Sequence, residues 1–129
     1  MKAPENTQVY KTPLATLWQD EKGILNWLSN ETTRTISLLE DTYAMVNLIT
    51  GAEKVPMLVD ATLSKPMDKP VREYTEVELP KLFRAIAVFS NSALGEVTTM
   101  MFLKLNEAIV PVKFFSNEKD AKEWLNQYV

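Results

Sequence analysis

Hydrophobic positions along the chain change period several times, and each change marks an element. Residues 14–28, LATLWQDEKGILNWL, hold two β-prone runs separated by Asp20, Glu21, Lys22 and Gly23. A glycine after a polar trio suits the left-handed position that closes a short hairpin loop, so the stretch predicts a β-hairpin. From Asn30 the period lengthens: Ile36, Leu39, Tyr43 and Val46, with Leu38, Met45 and Ile49 beside them, make a broad apolar face. This predicts a helix over about 33–50, with Asn30, Thr32 and Thr33 as candidate caps and Gly51 at the C′ position. Residues 55–59 follow as a short buried strand in which Pro56 is tolerable only at the start or on an unpaired side.

Asp68 and Pro70 open a second helix, with Val71, Tyr74 and Val77 facing one way, a break near Glu78 enforced by Pro80, and a short turn restarting through Leu82. The run AIAVF at 85–89 is continuous in the manner of a strand buried on both faces. Helical period returns over 92–105 with Ser92 as cap, and IVPVKFF at 109–115 is a last strand. A closing helix capped by Ser116 places Ala121, Trp124, Leu125 and Tyr128 on one face. The order is β-β-α-β-α-β-α-β-α. Strands joined through helices are parallel, so the prediction is an α/β fold with a mixed five-stranded sheet, parallel except the first strand and covered by helices.

Composition fits one domain spanning 1–129, with a loosely ordered start over 1–12: the chain has 129 residues, 46% hydrophobic and 24% charged. It has no cysteine and no histidine. Disulfides, thiolate chemistry, Cys–zinc sites and Ser–His or Cys–His nucleophile pairs are therefore excluded. The residues imply no cofactor and no metal centre, and a carboxylate-based enzyme would need two converging acids where only Asp60 stands out. A net charge of −3 argues against nucleic acid. No run approaches the length of a transmembrane segment, and a cytoplasmic location is the expectation.

The stretch MLVDATLSKP (57–66) ends a strand in an acid and two hydroxyls. In open α/β sheets ligands lie beyond the carboxyl ends of parallel strands. If the strands ending at Asp60 and Phe89 are neighbours, their turns converge on one cleft of Asp60, Thr62, Ser64, Ser90, Asn91 and Ser92. The competing account is that these are strand-end and capping groups satisfying nearby backbone. Met100, Met101 and Phe102 make the helix over 92–105 apolar almost all round, which points to an interface or an apolar pocket.

The closing stretch VKFFSNEKDAKEWL (112–125) is similar to the end of the bacterial SpoIIAA-like (STAS/SEC14-type) superfamily, and AIAVFSNSALGEVTTMMFLKLN (85–106) resembles its strand, Ser-containing turn and Phe-bearing helix. The resemblance implies the STAS fold of anti-sigma-factor antagonists and a non-enzymatic role in protein–protein interaction or regulation. It also points to the hydroxyls after Asp60 as phosphoacceptors. The antagonists carry Asp directly followed by Ser or Thr with a glycine soon after. Here Ala61 intervenes, and Thr62 and Ser64 are displaced. The implied partner is a protein or a second copy, in a homodimer. The alternative is a lipid or small apolar ligand in a pocket near the third helix.

Overall fold

The computed structural model describes residues 1–92 and 110–129. Its centre is β4 (Val55–Asp60), in which every residue is buried, paired in parallel with β5 (Phe83–Phe89). Four further strands extend this pair: β3 (Leu25–Ser29) beyond β4, β2 (Ala15–Gln19) beyond β3, the two-residue β1 (Tyr10–Lys11) at one edge, and β6 (Val112–Phe115) at the other. Strand order follows chain order, and β2 alone runs against the rest. The mixed, mostly parallel α/β sheet anticipated from the sequence is present. It gains a sixth strand because Tyr10 and Lys11, from the stretch expected to be loose, pair with Leu17 and Thr16.

The hairpin turns at Gly23, whose φ of 83° is the left-handed value its position requires. The Asp20 carboxylate accepts from the backbone N–H groups of Lys22 (2.9 Å) and Ile24 (3.0 Å) and so fixes the loop. Pro56 falls before the β3 pairing begins at Met57, and the β5 register slips between Val55 and Pro56, so its missing N–H breaks no ladder.

Among the described residues there are three α-helices: α1 (Ile36–Thr50), α2 (Lys69–Leu82) and α3 (Glu118–Leu125), the last continued by a 3-10 turn at Asn126–Tyr128. Side-chain alternation along the central strands assigns them to two faces. Met57, Val59, Ile86 and Val88 pack with Leu39, Tyr43 and Val46 of α1 and Val71 and Leu79 of α2. Leu58, Ala85, Ala87 and Phe89 pack with Ala121 and Leu125 of α3. Crossovers of one hand between strands laid down in one direction place their helices on one face, which is why α1 and α2 are neighbours.

Several local expectations shift. The cap of α1 is Thr35, whose side chain accepts from the Leu38 N–H at 3.2 Å, not Asn30, Thr32 or Thr33; Asn30 instead donates to the Pro13 carbonyl and accepts from the Thr32 N–H. Gly51 ends the helix at φ 68° as expected. The cap of α3 is Asn117, one residue past Ser116, accepting from the Asp120 N–H.

Helix α2 does not break at Glu78 but runs through Pro80 to Leu82. Proline there forfeits one hydrogen bond two residues from the end, and the buried Leu79 and Leu82 hold the last turn against the sheet. Its buried stripe is Val71, Thr75, Leu79 and Leu82, which turns Tyr74 to the edge and Val77 outward. Of the helix expected over 92–105, residues 93–105, with Met100, Met101 and Phe102, lie outside the described residues.

Leu79→Ala truncates an almost fully buried side chain under α2 and is expected to cost about 2–5 kcal/mol. Glu73→Ala removes an exposed partner of Lys69 and is expected to change stability by less than about 0.5 kcal/mol. Urea unfolding followed by circular dichroism separates the two, since a reversed ranking would contradict the observed face of α2.

Candidate functional site at the carboxyl edge of the sheet

Because β4 and β5 are adjacent with Asp60 opposite Phe89, the turns that follow them do meet. The Ala61 N–H donates to the Phe89 carbonyl (2.9 Å), carrying the pairing one residue past the strand end. Asp60 is 4% exposed and points to the α3 face. One of its oxygens accepts from the Thr62 N–H (3.0 Å), and the other lies 3.2 Å from the Met1 α-amino group. The Thr62 hydroxyl accepts from the Asn91 N–H (3.1 Å), and the Ser92 hydroxyl donates to the Thr62 carbonyl (2.8 Å). The Ser90 hydroxyl donates to the Ser92 carbonyl (3.0 Å) and accepts from the Ser92 N–H (3.1 Å).

Five of the six anticipated cleft residues thus form a network that stitches two turns together. Its donors and acceptors answer one another, in the way strand-end Asp, Ser and Thr groups commonly satisfy local backbone. The Met1 α-amino group also lies 3.9 Å from a Glu118 carboxylate oxygen, so Asp60 and Glu118 share one ammonium, and among the described residues no group of three or more acids could hold a metal ion.

Ser64 goes elsewhere. It is 1% exposed, on the α1–α2 side, where its hydroxyl accepts from Arg34 Nη2 at 2.9 Å. Thr62 is partly exposed, so of the two phosphoacceptor candidates it is the one an enzyme can reach without opening the loop.

Around Ser64 lies a cavity of about 60 Å³ between the sheet and helices α1 and α2. Its lining includes Trp27, Met57, Val59, Leu39, Leu79 and Val88, with Arg34, Tyr43, Ser64 and Thr75 as polar members. Burial pushes the Tyr43 phenol up to about 12, against the pull of the nearby Arg34 charge and of a hydrogen bond with Thr75. Burial also holds the Arg34 guanidinium below its ordinary range.

Arg34, Tyr43 and Thr75 were not anticipated as site residues. The legible signal was Arg34, a cation directly before a helix cap in the loop after a parallel strand, at the edge where α/β ligands collect. Tyr43 and Thr75 fall on core stripes, and nothing in their spacing distinguishes them from packing.

Beside this interior space, a surface groove between α1 and α2 is lined by Glu40, Tyr43, Ala44 and Asn47 on one side and by Tyr74, Glu78, Lys81 and Leu82 on the other. Desolvation raises the pKa of Tyr74, as do the charges of Glu78 and Glu40.

The mostly parallel sheet with one antiparallel strand and, among the described residues, two helices on one face and a closing helix on the other is a SpoIIAA-like fold. An uncharacterised protein of the DUF3478 family from Shewanella loihica PV-4, with a SpoIIAA-like fold, superposes with a TM-score of 0.59 at 16% identity, covering 97% of this chain and 99% of that one. The chain belongs to the family described as domain of unknown function DUF7793, whose model matches residues 17–129. A protein of unknown function from Arthrobacter sp. FB24 is 27% identical over 92% of this chain and 97% of that one, with a TM-score of 0.32. No curated protein matches the chain. Among the described residues, no helix is long and apolar enough to cross a membrane.

The Tyr43 shift fixes a pH dependence. A phenol whose folded pKa stands above its unfolded value of about 10 contributes stability that is intact below pH 10 and is lost as pH rises toward 12. At about 1.4 kcal/mol per unit, the Tyr43→Phe variant is expected to lose about 2–3 kcal/mol less than the parent across that window. Urea midpoints at pH 9 and above 11 check it, and equal losses in both proteins would contradict the burial of the phenol.

Proposed function

We propose that this chain is a non-enzymatic SpoIIAA-like domain that acts through protein contacts in the cytoplasm, with a second copy of itself as the first partner. The observation that carries the reading is the outer surface of α1 and α2. Leu48 is 77% exposed and Val77 62% exposed, one helical turn from the groove residues Ala44 on α1 and Tyr74 and Lys81 on α2.

Two large aliphatic side chains flanking a groove rimmed by tyrosine favour burial against another protein surface. A two-fold pairing would set the same patch of each copy against its mate. Absence of a catalytic reading supports it from the other side. The chain has no histidine or cysteine, and the hydroxyls and acid at the carboxyl edge hold their own turns together.

Light scattering behind size exclusion at tens of micromolar is expected to show a dimer, and Leu48→Glu combined with Val77→Glu is expected to give a folded monomer. Both positions are exposed, so the pair should leave the fold intact. A parent protein that is monomeric and recovers no partner from its own cells overturns the proposal.

A further inference from the structure

Arg34 is placed in a way that neither the fold nor protein contacts explain. It lies in the loop between β3 and α1, next to the Thr35 cap, and its guanidinium lines the cavity under α1 and α2. A guanidinium carries five N–H donors. The hydrogen bond it makes here is the one to the Ser64 hydroxyl, itself almost fully buried. Among the described residues the ion pairs join other groups, and no carboxylate lies within pairing distance of Arg34. Arg34 is partly exposed, but its guanidinium has no opposite charge at the cavity wall, and a cation drawn partly out of water is costly unless an opposite charge or a full set of acceptors compensates. The lowered pKa of Arg34 registers that cost. Solubility alone would be served by an arginine extended into solvent, whereas this one is tied to a buried hydroxyl at the wall of a cavity.

The cavity suggests what supplies the missing charge. Most of its lining is hydrocarbon and aromatic, with the hydroxyls of Tyr43, Ser64 and Thr75 as the other polar groups. One guanidinium provides one positive charge in a planar fork that matches a carboxylate through two parallel hydrogen bonds. A second cation, which a phosphate dianion would favour, is absent from the lining. At roughly 10–15 Å³ per enclosed water, 60 Å³ accommodates a body of about four to six non-hydrogen atoms. We infer that this cavity binds a small aliphatic carboxylate, with Arg34 gripping the carboxylate, Ser64 orienting the guanidinium, and the apolar wall taking the hydrocarbon body. The site shares Tyr43 with the outer groove, but Arg34 and Ser64 line only the interior space, so probe binding is read separately from self-association.

Butyrate serves as probe, with 1-butanol as its uncharged counterpart and inorganic phosphate as the anion without a hydrocarbon body. Titration of the full chain followed by amide chemical shifts is expected to give saturable changes with butyrate in the millimolar range, centred on Arg34, Ser64 and Thr75. One charge-assisted contact corresponds to a factor of about ten or more, so 1-butanol is expected to bind at least about tenfold more weakly, as is butyrate to Arg34→Met. Phosphate is expected to give no saturable change.

Absence of saturation with butyrate at tens of millimolar means that water alone fills the cavity and overturns the inference. Equal binding of 1-butanol removes the role of Arg34, and equal binding of phosphate removes that of the apolar wall; either overturns it as well. Because the three probes are compared on the parent protein, the result stands even if Arg34→Met fails to fold.

Discussion

The parallel pairing of β4 with β5 is the constraint on which the rest depends. Both strands are buried on both faces, and such a pair is stable only if helices cover each side. Strand order that follows chain order then gives α1 and α2 to one face. The opposite face falls to α3, for which Ala85, Ala87 and Ala121 clear the space. Parallel strands also end together. The loops after β3, β4 and β5 therefore open at one edge, and all the chemistry-bearing side chains of interest are on them or just inside.

At that edge two kinds of polar group meet different fates. Asp60, Thr62, Ser90 and Ser92 bond to one another and to backbone within two adjoining turns. Such closed networks cost little to bury because each donor finds an acceptor. Arg34 faces the other side of the sheet, where the surroundings are apolar and one hydroxyl is its hydrogen-bond acceptor. The difference follows from strand alternation. Asp60 and its neighbours continue the α3 face, whereas Ala61 and Ser64 fall back under α1 and α2. Two residues of sequence separate Thr62, in the self-satisfied turns, from Ser64, whose hydroxyl accepts from the Arg34 cation.

Much of the architecture was legible beforehand, and the reasons are local. The hairpin was visible in Gly23, the continuous strand in Ala85–Phe89, and the helix ends in Gly51 and Asp68. Each depends on a backbone preference or a period that a few residues carry by themselves. Pro80 shows the limit. Local sterics argued for a break, but burial of Leu79 and Leu82 on the sheet kept the last turn helical. Val77 shows it again, because three apolar residues at helical spacing left the choice of face open. The stripe through Thr75 and Leu79 is the one that meets the sheet.

For the candidate site, the sequence by itself determined that Asp60 and the Ser90–Ser92 turn stand at the ends of buried parallel strands. It also determined that no histidine or cysteine is available to work there. Only the tertiary structure decided that these turns satisfy each other, that Ser64 turns away from them, and that Arg34, Tyr43 and Thr75 join it around one cavity. The physical reason is range. Periodicity, turns and caps are fixed by neighbours a few residues apart, whereas Arg34 and Ser64 are thirty positions apart and meet because β3 and β4 pair in one register.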